Sequence, residues 1–105
     1  LISDLMREKL IRDLTGEVPH QLCILVDDLV ETDDTMHVTG RILVERNSQI
    51  GILLGHKGHR LTKVRKLTEE EVGAIYEKKV KLDFRVKAER KWDQNFWIMR
   101  QLGYT

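Results

Sequence analysis

The chain has 105 residues, of which 41% are hydrophobic and 33% charged, and its formal net charge is +1. This length suits one domain with a single modest core. The apolar runs are too short to span a membrane, and the sequence shows no signal-peptide pattern. Cys23 is the single cysteine, so the sequence excludes an internal disulfide and a thiolate metal cluster, and a buried small hydrophobe is favoured there.

The first half of the chain predicts one helix and two strands. A helical period runs through residues 5–14, and Gly16 and Pro19 end that helix. Residues 21–30 predict a strand, which an acidic turn at residues 31–34 separates from a second strand over Val38–Arg46.

The second half predicts two helices around a glycine loop, then a strand and a helix. Gln49–Leu54 predicts a short apolar helix, and His59 to about Tyr76 a longer one. Residues 80–86 alternate strictly between apolar and charged side chains, which indicates a half-buried strand. Residues 93–102 predict a last short helix. Because we find no repeat, linker or low-complexity tract, we interpret residues 1–105 as a single domain.

The segment Gly55-His56-Lys57-Gly58 joins the two central helices. Two glycines three residues apart let the backbone approach a ligand closely, because no Cβ stands in the way. The free amides at the start of the next helix would face that ligand, with the positive end of the helix dipole behind them. This arrangement suits a phosphate group. Glycine pairs also mark ordinary turns, so the pattern alone is weak evidence.

Positive charge is concentrated around this loop. Residues 1–40 contain three Lys/Arg and nine Asp/Glu, residues 41–66 contain seven and one, and residues 67–105 contain eight and seven. In the helix after the loop, cations precede the acidic residues 69–71, which is the reverse of the order that the helix dipole favours, by ~0.3–1 kcal/mol per terminal charge. A bound polyanion would offset that cost. The alternative is an ordinary solvated face, on which Arg65–Glu69 and Lys66–Glu70 can form ion pairs.

The polar candidates for RNA contact lie in the loop and around it. Lys57 is the best single candidate for a phosphate contact, and the histidines can donate hydrogen bonds in either protonation state. For the histidines, direct RNA contact and simple solvent exposure have equal weight. The full set is His56, Lys57, His59, Arg60 and Lys63, with Arg46 as a flanking candidate.

Apolar candidates precede the loop. Ile52, Leu53 and Leu54 cannot all point inward from so short a helix, so some would form the floor of a groove for bases, and core packing is favoured for at least half of the apolar residues there. The aromatics Trp92, Phe96 and Trp97 favour core or partner packing over base stacking. No catalytic motif or metal-ligand spacing occurs, so the sequence predicts no enzyme activity, no cofactor and no metal.

The element order and the Ile52–Gly58 segment resemble a type II KH domain, a fold that binds single-stranded RNA or DNA. A closer resemblance is to the C-terminal KH domains of the Era family of GTPases, which act in small-subunit assembly. The pieces that carry it are Arg7–Leu10, Leu14–His20, Ile42–Arg46, Gly55–Gly58, Val86–Lys87 with Trp92, and Leu102–Tyr104.

The resemblance implies an α+β (mixed α/β) fold, with a three-stranded sheet, helices packed on one face and an extra C-terminal helix. Gly55–Gly58 would clamp the backbone of about four nucleotides, and Ile52, Leu53 and Leu54 would line or support the groove. The implied partners are a single-stranded segment at the 3′ end of small-subunit ribosomal RNA and the small ribosomal subunit. The implied location is a bacterial-type cytoplasm, with an organellar matrix left open.

The resemblance does not extend to a GTPase domain. We therefore expect a non-enzymatic fragment of a larger GTPase, with the GTPase domain of the parent chain as a further partner. The RNA sequence and the preference for RNA over DNA stay open, as does peripheral membrane contact. The alternative is a protein-interaction module that docks a GTPase domain or a ribosomal protein through acidic residues 27–34 and the C-terminal aromatics.

Overall fold

The computed structural model describes residues 2–14 and 22–89. The predicted C-terminal helix and the aromatics Trp92, Phe96 and Trp97 lie outside these residues. The elements, in chain order, are α1 (Ile2–Asp13), β1 (Leu22–Glu31), β2 (Thr35–Val44), α2 (Asn47–Leu54), a short 3-10 turn (His56–Gly58), α3 (His59–Tyr76) and β3 (Lys79–Ala88).

The second strand begins and ends earlier than predicted. Polar residues at its start alternate with buried Met36 and Val38, so the pleat accommodates Thr35 on the exposed face. The turn before it is tight, because the Thr32 N–H donates to the Thr35 carbonyl at 2.9 Å. At the other end, Arg46 is the N-cap of α2 and not part of the strand.

The three strands form one mixed sheet in the order β1-β2-β3. β1 and β2 are antiparallel, with a bulge between Val26 and Asp28. β2 and β3 are parallel and in register from Thr35–Lys79 to Val44–Ala88. Parallel neighbours need a crossover connection, and here α2, the glycine loop and α3 supply it. The loop is therefore held between two helices next to β3.

The described helices pack on one face of the sheet, as predicted. Among the described residues, the completely buried apolar side chains come from both layers and are Met6, Leu10, Val38, Ile42, Val44, Leu53, Val72 and Leu82. A smaller cluster, made of Cys23, Leu25 and Leu43, is also buried. Burial raises the pKa of the Cys23 thiol, which fits the inert hydrophobe that the sequence predicted. Within the described ranges, no helix is long and apolar enough to cross a membrane.

Candidate nucleic-acid interface

The two loop glycines adopt left-handed backbone conformations, with φ of 73° at Gly55 and 75° at Gly58. They differ in their surroundings. A Cβ at Gly55 would lie 2.7 Å from the Cβ of Arg60, so glycine is required there by packing as well as by φ. A Cβ at Gly58 would meet no atom within 4 Å. The backbone at Gly58 is therefore open to an approaching ligand.

Between the glycines, Lys57 also has a left-handed conformation, with φ of 54° and ψ of 29°. For a residue with a Cβ this costs roughly 1–2 kcal/mol. Lys57 is exposed and has no ion pair within residues 2–14 and 22–89. A strained, solvated cation in a loop of this kind is typical of a functional site rather than of a structural contact.

The N-terminus of α3 points its amides toward the same opening. No side chain caps this end, and the first turn contains no acidic residue. The loop uses some of its own amides, since the Gly58 N–H donates to the Gly55 carbonyl at 3.1 Å. The amides of the first turn of an uncapped helix, with the dipole behind them, favour an anion.

A groove with a volume of about 440 Å³ runs between the loop, the first half of α3 and β3. Its floor is apolar and its rim is charged. The lining residues are Leu54, Gly58, Leu61, Thr62, Arg65, Lys81, Leu82, Asp83 and Phe84.

One wall of this groove is the outer edge of β3. The N–H groups of Lys79 and Glu89 donate toward β2, to the carbonyls of Asp34 and Val44 at 2.9 and 2.8 Å. In a strand, the N–H and C=O of one residue point to the same edge and those of the next residue to the opposite edge, so those of Val80, Leu82, Phe84 and Val86 point away from β2, toward the groove. The observed bond from the Leu82 N–H to the Glu69 side chain, at 2.7 Å, confirms this direction.

The predicted apolar residues divide between groove and core. Leu54 lines the groove, whereas Leu53 is completely buried in the core. Ile52 is partly buried against the same core, and its carbonyl accepts a hydrogen bond from Arg60. Of the two roles predicted for these residues, lining or supporting the groove, Leu54 fits the first, and Ile52 and Leu53 fit the second.

Arg60 and Lys63, which the sequence predicts as phosphate contacts, form hydrogen bonds with α1 in this structure. Asp13 accepts hydrogen bonds from the Arg60 Nε at 3.1 Å and from the Lys63 Nζ at 3.2 Å. These bonds, Lys63 first, hold the pKa of the Asp13 carboxyl below its usual range. Arg60 is largely enclosed, with 28% of its side chain exposed, whereas Lys63 is 64% exposed. Lys63 is thus paired with Asp13 but mostly exposed, whereas Arg60 connects α3 to Asp13 of α1 and to the Ile52 carbonyl of α2.

Arg46 lies away from the loop. It begins α2, where its N–H donates to the Gln49 side chain at 2.9 Å, and the eight residues of α2 separate it from Gly55. At 1.5 Å per residue that separation is about 13 Å. The structure therefore does not bring Arg46 to the glycine loop.

Ion pairs neutralise more than half of the cations in the basic segment, residues 41–66. Of the seven cations in residues 41–66, Arg41 pairs with Asp27, Arg60 and Lys63 pair with Asp13, and Arg65 pairs with Glu69. The remaining three, Arg46, Lys57 and Lys66, have no ion pair in the described part of the chain. Of these three, Lys57 lies in the glycine loop itself, and on β3 the exposed Lys81 adds a cation to the groove lining.

Sequence reasoning missed several residues of α3 and β3 that line the groove. Thr62 and Arg65 follow the loop at helical spacing, and Lys81–Phe84 belong to the strand that the alternation predicted. Nothing in that alternation indicates that the strand lies at the sheet edge beside the loop. Across the described residues, no group of His, Cys, Asp or Glu is arranged to hold a metal ion.

The sequence matches the KH domain family over residues 17–93. The chain belongs to the KH domain family. The predicted α+β KH fold is confirmed for the described elements, and the extra C-terminal helix stays a prediction.

Two of the curated relatives that match this chain are GTPases of one kind. GTPase Era of Thermosipho melanesiensis is 33% identical over 105 residues, which are 98% of this chain and 35% of the relative. GTPase Era of Ectopseudomonas mendocina is 32% identical over 104 residues, 99% of this chain and again 35% of the relative. The chain therefore spans about a third of the length of the curated relatives it matches.

Solved structures show the same similarity in three dimensions. The KH domain resembles part of Era in complex with MgGDPNP and nucleotides 1506–1542 of 16S ribosomal RNA, with a TM-score of 0.86, 26% identity and coverage of 99% of this chain and 35% of that one. It resembles a variant of Aquifex aeolicus Era bound to GDP·AlF4⁻ with the same TM-score and identity, covering 99% of this chain and 36% of that one.

Proposed function

We propose that this KH domain binds single-stranded RNA in the groove between the glycine loop, α3 and β3. The observation that carries the proposal is the open backbone at Gly58, directly before an uncapped helix N-terminus and beside the outer edge of β3, with which no other described strand pairs. KH domains use this loop to clamp the backbone of about four nucleotides.

The loop and the helix would hold the phosphates. Amides at the start of α3 donate to phosphate oxygens, and Lys57 adds the charge of an exposed ammonium group. His56 lies in the loop and His59 begins α3 directly after it, with ring centroids 6.2 Å apart. Each can donate a further hydrogen bond. These contacts position the strand and carry no base information.

The floor and the β3 edge would hold the bases. Leu54, Leu61 and Phe84 offer apolar surface under the strand, and the outward peptide groups of Phe84 and Val86 can pair with base edges. Recognition of unstacked bases by hydrogen bonds to their edges is the usual mode for single-stranded RNA. The glycine loop thus holds the RNA backbone in place, and the edge of β3 recognises the bases.

The similarity to Era, one structure of which contains nucleotides 1506–1542 of 16S ribosomal RNA, supports a specific target. We assign to this chain the 3′ end of small-subunit ribosomal RNA, within small-subunit assembly in the cytoplasm. GTP hydrolysis would belong to other parts of a longer Era-like protein, because the chain matches about 35% of such proteins. The small subunit and that GTPase domain are the further partners of the proposal.

A double charge reversal in the loop tests the proposal. In His56→Asp/Lys57→Asp, affinity for a labelled single-stranded RNA with the 16S 3′-terminal sequence should fall at least tenfold, with an unchanged thermal melt. The matched control is His37→Asp/Lys79→Asp, which changes the same residue types at exposed positions on the sheet face away from the helices. Equal loss in both doubles would indicate non-specific attraction and contradict the proposal.

A second candidate function is protein docking through β1. Val26, Leu29 and Val30 are 43%, 46% and 56% exposed, and they lie among Asp27, Asp28 and Glu31 on an edge strand. Such an edge suits a basic protein segment, for instance on a ribosomal protein or the GTPase domain. Weak RNA binding that does not depend on RNA length or on the loop would favour this function.

A further inference from the structure

The Glu69 carboxylate closes one end of the β3 edge. It accepts the Leu82 N–H at 2.7 Å and the Arg65 Nη1 at 3.2 Å. Only 18% of the Glu69 side chain is exposed. A carboxylate that is mostly enclosed and bonded to both a peptide N–H and a guanidinium keeps a defined position.

This contact divides the outer edge of β3 into two parts. On the Val80 side of Leu82, α3 packs closely against the strand, since a Cβ at Gly73 would lie 2.8 Å from the Lys78 carbonyl oxygen and 3.8 Å from Val80. On the Phe84 side, the groove opens toward Gly58 and Leu61. Glu69 therefore stands where the helix–strand contact ends and the groove begins.

Because Glu69 already accepts the Leu82 N–H, that N–H is not available to a base of the bound RNA. An ionised carboxylate is only an acceptor, so a base that used the Leu82 N–H would have to displace Glu69. A phosphate near that point would meet a negative charge. Arg65, which lines the groove, gives part of its hydrogen-bonding capacity and its charge to Glu69 rather than to RNA.

We propose that Glu69 is a specificity-determining residue that ends the base-reading edge at Leu82 and keeps Arg65 from the RNA phosphates. The bound strand is thereby confined to the peptide groups of Phe84 and Val86. This inference rests on the proposed RNA binding and adds to it the residue that limits which part of β3 can contact bases.

Two substitutions separate the charge of Glu69 from its hydrogen bond. Glu69→Gln keeps an acceptor for the Leu82 N–H but removes the negative charge that pairs with Arg65, whereas Glu69→Ala removes both. The matched controls are Glu70→Gln and Glu70→Ala, because Glu70 is an exposed carboxylate at the next position of the same helix. The probes are a labelled single-stranded RNA of the 16S 3′-terminal sequence and versions with one abasic site at each position.

For Glu69→Gln we expect tighter binding and a salt dependence steeper by about 0.7 in log–log slope, the value for one more phosphate contact on a single strand. For Glu69→Ala we also expect one additional position at which an abasic site weakens binding, by roughly two- to tenfold, as one net hydrogen bond would. That position should adjoin the closed end of the groove.

The inference and the proposed function fail in different ways. An abasic profile that is identical in wild type and Glu69→Ala, or a salt slope that changes equally in Glu69→Gln and Glu70→Gln, would overturn the inference while the loop double variant still loses binding. If Glu69→Ala does not fold, the slope of Glu69→Gln decides alone. Absence of binding by the wild-type chain would instead remove the proposed function.

Discussion

The ring of Phe84 on β3 lies directly against the backbone of Gly40 on β2, so that a Cβ at Gly40 would be 2.4 Å from the ring Cε2. The same Cβ would be 2.3 Å from the Leu25 carbonyl oxygen on β1. The central strand thus has room for a large ring only because residue 40 has no side chain. Since Phe84 also lines the groove, the core and the binding surface share this contact.

Gly40→Ala should therefore destabilise the fold and weaken RNA binding together. A rigid backbone oxygen lies on one side of the new methyl, so Phe84 and the strand must move, and overpacking of this kind costs about 1–3 kcal/mol. Chemical denaturation measures the stability, and RNA titration well below the melting temperature measures the affinity. A control is Gly51→Ala on α2, where a Cβ would meet nothing within 4 Å. Unchanged stability in Gly40→Ala would contradict the packing described here.

The two loop glycines should respond differently to alanine. Gly58→Ala introduces only the strain of a left-handed residue, roughly 1–2 kcal/mol, because the space around it is open. Gly55→Ala adds a clash with the Cβ of Arg60 and should lower the free energy of unfolding further. Gly58→Ala should nevertheless lose RNA affinity, since its methyl would stand where the phosphate backbone approaches. Thermal melts and RNA titrations of both variants check this; equal destabilisation by the two would contradict it.

Lys57→Gly should weaken RNA binding and leave the stability of the fold nearly unchanged. Glycine relieves the left-handed strain at residue 57 but increases the entropy of the unfolded chain, so the free energy of unfolding should change by less than about 1 kcal/mol. RNA affinity should fall, because the exposed ammonium group is removed. Lys66→Gly in the interior of α3 is the contrasting variant, and it should cost about 1 kcal/mol from helix propensity alone. A large loss of stability in Lys57→Gly would show that the lysine has a structural role.

Local patterns were sufficient to predict the order of the described elements and the loop, although β2 lies at Thr35–Val44 and not at the predicted Val38–Arg46. Period-2 alternation located β3, helical periods located α1 and α3, and the two glycines marked a backbone that needs positive φ. The Arg65–Glu69 ion pair was predicted from its i,i+4 spacing, but the partners of Arg60 and Lys63 could not be predicted, because they depend on contacts distant in sequence. Asp13 is 47 residues from Arg60 and 50 from Lys63, and it engages both. The Glu69–Leu82 contact likewise depends on the crossover that brings α3 against β3.

The Asp13 contacts predict a pH dependence of stability. Its pKa is lowered in the folded state by Lys63 and Arg60. A carboxyl with a lowered folded pKa stabilises the fold above its unfolded pKa of about 3.9, and this contribution is lost as pH falls through the folded pKa. Asp13→Asn should therefore be less stable than wild type near neutral pH, and the difference should shrink below about pH 4. Denaturation at several pH values measures it.

Asp13→Asn also tests whether Lys63 contacts the RNA phosphates. Without the Asp13 carboxylate, Lys63 loses its ion pair and its exposed ammonium group can reach the phosphates, so Asp13→Asn should bind RNA more tightly than wild type even while it folds less stably. Asp33→Asn, which removes a charge from the exposed turn before β2, is the control for net charge. If both variants gain affinity equally, the gain reflects the overall charge of the domain. Because Asp13 engages Arg60 as well, a gain confined to Asp13→Asn that disappears when Lys63→Gln is added would place Lys63, rather than Arg60, among the phosphate contacts.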